Sequence, residues 1–95
     1  MDRLSGDFVW DTEKEGVNIR KHGVDFNAAA EAFTDPERKI YMDLNHSERE
    51  ERFFCIGRVS ARILTVRFAY RGGKIRIFGA AYWRKGRKHY EKRND

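Results

Sequence analysis

Ile63-Leu64-Thr65-Val66-Arg67-Phe68-Ala69-Tyr70, then Arg71, Gly72-Gly73 and Lys74-Ile75-Arg76-Ile77-Phe78-Gly79-Ala80, is the stretch on which the fold turns. Apolar and polar side chains alternate on both sides of a two-glycine step. Alternation is the period of a half-buried strand, and two glycines between such strands supply the positive φ of a tight hairpin turn. With the glycines as the loop, Arg71 faces Lys74, Tyr70 faces Ile75, Ala69 faces Arg76 and Phe68 faces Ile77. Successive side chains point to opposite faces, so Leu64, Val66, Phe68, Tyr70, Ile75 and Ile77 share the core face. Thr65, Arg67, Ala69, Lys74 and Arg76 share the other. There Arg67 and Arg76 are diagonal neighbours within reach of one ligand.

Working upstream, Arg52–Arg58 reads as the preceding strand. Taking Ser60-Ala61 as its loop sets Val59 against Arg62 and Phe54 against Arg67. Phe53 and Cys55 then turn to the core, while Glu50, Arg52, Phe54, Ile56 and Arg58 join the arginine face. Lys39–Met42 reads as a shorter strand, and residues 43–51 as a polar loop. Near the start, Phe8-Val9-Trp10 is strand-like. Thr12 and Glu15 have capping-box spacing for a helix that runs to about Lys21, with Gly23 as its left-handed cap. Asp25 opens a second helix, in which Phe26, Ala29, Ala30 and Phe33 form one stripe; Asp35-Pro36 ends it. Trp83–Arg93 reads as a short basic helix interrupted by Gly86. The expectation is one α+β domain over residues 1–95: an antiparallel sheet with two N-terminal helices and a short basic C-terminal helix. Residues 1–6 and 93–95 are expected to be frayed.

Charge divides sharply along this plan. Residues 1–51 carry 7 Lys/Arg against 13 Asp/Glu, and residues 52–95 carry 13 against 2. The second half is thus a concentrated cationic surface, and a polyanion is the partner it fits. Hydrophobic content of 40%, with 7 Phe, 4 Tyr and 2 Trp, suffices for one aromatic-rich core. The single cysteine makes no internal disulfide, which fits a reducing cytoplasm. Within Phe53-Phe54-Cys55-Ile56 it reads as a buried structural thiol rather than a nucleophile. No secretory signal or membrane span is read. CxxC, HExxH and paired-His spacings are absent, so neither a metal nor a cofactor is expected.

A metal-free ribonuclease needs a base for the 2′-hydroxyl, cations for the charged phosphorane and an acid for the leaving 5′-oxygen. Glu50 or His46 as base, Arg52, Arg67 and Arg76 as stabilisers, and Tyr90 or His46 as acid supply those roles. Phe54, Arg71 and Lys74 on or beside the sheet face, and Arg84, Lys85, Arg87 and Lys88 on the terminal helix, are the candidate RNA-binding set. Arginines beside an aromatic suit a phosphate backbone and an unstacked base. The same residues would also serve a non-catalytic RNA- or DNA-binding module. His22 reads as a helix-capping residue and His89 as an exposed one.

Several motifs together resemble a known family. They are Phe8-Val9-Trp10-Asp11, Asn18-Ile19-Arg20-Lys21-His22-Gly23-Val24-Asp25-Phe26, Ala29, Phe33 and Asp35-Pro36. Asp43, His46-Ser47, Glu50-Glu51-Arg52-Phe53, Ile56-Gly57, Arg62, Leu64, Val66 and Ile75-Arg76-Ile77 continue the pattern. From Phe8 to Glu91 the chain resembles the BrnT toxins. The resemblance implies a RelE-like fold and a ribonuclease toxin of a type II toxin–antitoxin pair that arrests translation by cutting RNA. It implies neutralisation by a ribbon-helix-helix antitoxin of the BrnA type, with operator DNA bound only through that antitoxin, and no membrane partner. Many members continue after the Ile-Arg-Ile strand with Ser-Ala-Arg. Here Gly79-Ala80-Ala81 stands instead, so the role of that arginine passes to Arg84 or Lys85, or is missing.

Overall fold

The hairpin pairs as its alternation demands. Its strands are β5 (Arg62–Arg71) and β6 (Lys74–Ala81), joined at Arg71↔Lys74, Tyr70↔Ile75, Ala69↔Arg76 and Phe68↔Ile77. Gly72 and Gly73 sit at φ 59° and 76°. β4 (Phe53–Val59) pairs with β5 through Val59↔Arg62 and Phe54↔Arg67, and Ser60-Ala61 is its two-residue loop. The computed structural model describes residues 2–92; the expected frayed end at 93–95 lies outside the described residues. Remaining elements are β1 (Asp2–Ser5), β2 (Phe8–Asp11), α1 (Thr12–His22), α2 (Phe26–Glu31), β3 (Lys39–Met42) and α3 (Arg84–Glu91). Short 3₁₀ turns occupy Ala32–Thr34 and Leu44–His46. Among the described residues no helix is long and apolar enough to cross a membrane.

The class is α+β, with the sheet in the order β1-β2-β6-β5-β4-β3. Two details depart from expectation. Residues 2–5, read as a frayed start, form an edge strand antiparallel to β2, because the Gly6 turn folds them back onto it. β2 in turn lies parallel to β6, Phe8 opposite Ile75 and Trp10 opposite Ile77, so the sheet is mixed rather than wholly antiparallel. A crossover long enough to return in parallel is available because α1, α2, β3, β4 and β5 all intervene.

Trp10, Phe26, Leu64, Val66, Phe68 and Ile77 form the fully buried centre, between the sheet and the α2–3₁₀ segment. Cys55 joins them; burial pushes its thiol up to about 12, which fits a structural residue. Tyr70 shares the core face by register yet is 56% exposed, since it lies at the hairpin end and meets Phe53 and Phe68 only by ring edges.

Helix termini follow simple chemistry. Asp11, rather than Thr12, caps α1, accepting from the backbone N–H of Glu13 at 2.8 Å. Asp25 caps α2 through Ala28 N–H at 2.8 Å. Gly86 does not interrupt α3. It is buried, and a Cβ there would overlap the Thr65 hydroxyl, so glycine is what lets α3 lie directly on β5. α3 therefore covers Thr65 and the adjoining part of the arginine face.

Asn18 pins α1 to the sheet. Its amide nitrogen donates to the carbonyls of Val24 and Ala80, both at 2.9 Å, and its oxygen accepts from Ala80 N–H at 3.1 Å. It continues the β6 ladder past the point where β2 ends. Asn18→Ala should lower stability by about 1–3 kcal/mol, because buried backbone groups are left unpaired. A urea midpoint equal to that of the parent chain would refute this.

Candidate functional site

The loop before β4 builds the first part of the site. Asp43, buried at 5% exposure, accepts from Asn45 N–H at 3.2 Å and from His46 Nδ1–H at 2.9 Å. The imidazole itself is 60% exposed. Its Nδ1 is thus fixed as a donor, leaving Nε2 as the nitrogen that exchanges a proton with a ligand. The Ser47 hydroxyl donates to Asp43 C=O at 2.6 Å and accepts from Arg52 N–H at 3.0 Å, which closes the loop onto the start of β4.

Glu50 follows on the same loop. Arg71 donates to it through Nη2 at 2.7 Å and Nε at 3.3 Å, and Arg52 Nη2 lies 3.6 Å away. The Arg71 hydrogen bonds, with the charges of Arg52 and Arg76 behind them, hold the Glu50 carboxyl below its ordinary value. His46, Glu50, Arg52 and Arg71 line one open cleft. A carboxylate kept ionised, an imidazole and several guanidinium groups thus share a space open to a ligand.

The sheet face continues from there. Arg67 opposes Gly79 rather than Phe78, because the β5–β6 ladder slips by one residue between Arg67 and Phe68. Such a bulge turns two successive side chains to one face. Phe78 accordingly lies under Arg52, whose guanidinium sits 4.1 Å from the ring centroid, with Lys14 on the same ring at 5.3 Å. A Cβ at Gly79 would come within 2.8 Å of Arg67 Nη2, so the guanidinium lies across bare backbone. Arg67 Nε is buried with no hydrogen-bond partner, an unsatisfied donor among the described residues. Lys14, Lys21, His22, Arg67 and Phe78 line this second, adjoining cleft.

His46, Glu50, Arg52 and Arg71 are therefore brought together, Arg76 acts on Glu50 electrostatically, and Arg67 joins through Phe78 and Arg52. Phe54 sits half-buried opposite Arg67, and Lys74 donates to Gly6 C=O at 3.2 Å beyond the hairpin turn. Tyr90 is not brought to this cluster. Its hydroxyl donates to Asp35 Oδ2 at 2.6 Å, and its ring lies beneath Arg58. Arg58 and Arg52 are six residues apart on an extended strand, about 20 Å at ~3.3 Å per residue. The bond to Asp35 raises the Tyr90 phenol above its ordinary value, so its proton is held there. Arg84, Lys85, Arg87 and Lys88 are all exposed on α3, and Arg87 pairs with Glu91 at 3.5 Å. Asp43, Phe78 and Asn18 are the contributors that reading for chemistry passed over. A glycine inside a strand, Gly79, is the one sequence signal that pointed to the bulge.

A model of one protein family matches residues 10–86; it describes the ribonuclease toxin, BrnT, of type II toxin-antitoxin systems. No curated protein matches the chain.

Proposed function

The chain belongs to the BrnT family of ribonuclease toxins of type II toxin–antitoxin systems, and we propose that it is an endoribonuclease that cuts RNA through the 2′-hydroxyl without a metal. Family membership brings an RNA substrate and an antitoxin partner. In this reading the antitoxin is of the ribbon-helix-helix BrnA type, and the pair meets operator DNA only through it. The toxin acts in the cytoplasm, where RNA cleavage arrests translation.

The observation that carries the catalytic reading is the shared cleft of His46, Glu50, Arg52 and Arg71. Glu50, held ionised, accepts the 2′-hydroxyl proton as that oxygen attacks phosphorus. Arg52, Arg71 and Arg76 balance the charge that grows on the phosphorane. The bond to the 5′-oxygen then breaks, and His46 Nε2–H protonates the leaving oxygen while Asp43 holds the ring. The products are a 2′,3′-cyclic phosphate and a 5′-hydroxyl. Arg67, Phe54 and Phe78 hold the adjoining nucleotide by charge and stacking.

Incubating purified protein with RNA in EDTA should give fragments ending in 2′,3′-cyclic phosphate. Arg52→Ala should slow cleavage by about 10²–10³-fold, the usual cost of removing one such electrostatic contact. Intact but retarded RNA would instead identify a binding module, and activity lost in EDTA would refute the metal-free route.

A further inference from the structure

We propose a second RNA-backbone site at the other end of the sheet face, in the cleft between the β4–β5 turn and the start of α3. It rests on RNA being the substrate, as inferred above. The cleft is lined by Arg58, Arg62, Arg84 and Arg87; Glu91 is paired with Arg87, and Asp35 beside Arg58 is held by the Arg58 amide and the Tyr90 hydroxyl. Four guanidinium groups on so small a surface repel one another, and a string of phosphates is the ligand that relieves this.

Two further features select a single-stranded nucleic acid. The Arg62 guanidinium carbon lies over the Tyr82 ring, 3.7 Å from its centroid. A guanidinium held on a ring face keeps N–H donors that a phosphate oxygen can take. Trp83, 38% exposed, lines the same cleft and presents a ring on which a base can stack. The α3 N-terminus adds to the field, because Trp83 caps it without a side-chain hydrogen bond and the first turn holds no acid.

The path from the catalytic cleft is continuous. Arg52 touches Phe78; Phe78 and Arg67 share a cleft with His22; and the His22 and Trp83 rings meet edge to face at 6.3 Å. The span of about 20 Å along β4 corresponds to roughly six stacked nucleotides at ~3.4 Å each, fewer if the strand is extended. This end is not part of the chemistry. It holds the strand while the Glu50 end cuts.

The double variant Arg58→Ala/Arg62→Ala tests it, since both side chains are exposed. With an RNA of about twelve nucleotides, KM and the dissociation constant should rise about tenfold and kcat should hold. The slope of log affinity on log salt should fall by about 0.7 for each phosphate that the variant no longer neutralises. With a trinucleotide that reaches only the cutting site, neither constant should move. Arg58→Lys/Arg62→Lys should recover most of the loss in binding to the long RNA. Unchanged affinity for the long RNA would overturn the proposal, as would an equal loss with the trinucleotide. A defect seen only in antitoxin binding would overturn it in favour of a protein-docking surface. Direct binding by fluorescence anisotropy decides the matter even if the parent chain binds RNA without cutting it, which would instead sink the catalytic reading.

Discussion

Replacing His46 by alanine should slow RNA cleavage by about 10²–10⁴-fold, the range that a positioned general acid or base contributes. The fold should be untouched, because the imidazole is largely exposed and its one bond, to Asp43, lies in a loop. Assignment as the acid makes a sharper demand. An RNA whose scissile 5′-oxygen is replaced by sulfur has a leaving group that departs without a proton. On that substrate His46→Ala should be nearly as fast as the parent chain. Glu50→Gln should stay slow on both substrates, because the 2′-hydroxyl proton must still be taken. An equal defect of His46→Ala on oxygen and sulfur substrates would reverse the two roles or reduce His46 to a positioning residue.

Division of labour between these two groups follows from what surrounds each. Arg71 makes two hydrogen bonds to Glu50, and Arg52 and Arg76 add charge, so the carboxylate form is the one present when substrate arrives. Ionisation has a cost: a carboxyl held low is a weaker base than an ordinary one. On the proposed mechanism the same arginines offset this, since they would stabilise the phosphorane that forms as the proton moves. Tyr90, the other acid suggested by sequence, is committed to Asp35, where desolvation works to raise the carboxyl but the Tyr90 hydroxyl and the Arg58 and Glu37 amides outweigh it.

The strand register was legible because a two-glycine turn leaves little freedom: once Gly72-Gly73 is the loop, parity assigns every side chain from Phe68 to Ile77. Parity failed one step later. A bulge changes the count of residues without changing their character, so Phe78 passed for an ordinary strand residue although it supplies the aromatic floor under Arg52. Tyr90 was misplaced for a related reason. Periodicity gives the side of a helix but not its position over the sheet, and that position was set by Gly86 seating on Thr65. The His46–Asp43 contact lay within a polar loop, where no period exists to bring two residues together. The parallel β2–β6 pair was equally hidden, because three apolar residues, Phe8, Val9 and Trp10, fit either direction.

Phe68→Ala should cost about 3–5 kcal/mol, the range for removing a large buried aromatic. For a domain of this size total stability is about 5–15 kcal/mol, and the melting point should fall by about 15–30 °C. Phe68 is fully buried, with ring centroids of Phe33 at 4.9 Å, Tyr70 at 5.2 Å and Phe53 at 5.6 Å. Removing it opens a cavity between the 3₁₀ turn after α2 and the sheet, and a well-packed core relaxes into such a space only in part. Tyr70 is the control. It shares the face by register, yet its exposure leaves little apolar area to lose, so Tyr70→Ala should cost about 1 kcal/mol or less. The two defects also separate stability from chemistry. Arg67 is the next residue to Phe68 and lies on the opposite face, where its guanidinium rests on Gly79 rather than on the core. Below its lowered melting point, Phe68→Ala should therefore cut RNA at nearly the parent rate per folded molecule, whereas His46→Ala should melt normally and scarcely cut. A Phe68→Ala chain that melts within a few degrees of the parent would mean that the aromatic cluster is not what closes the core.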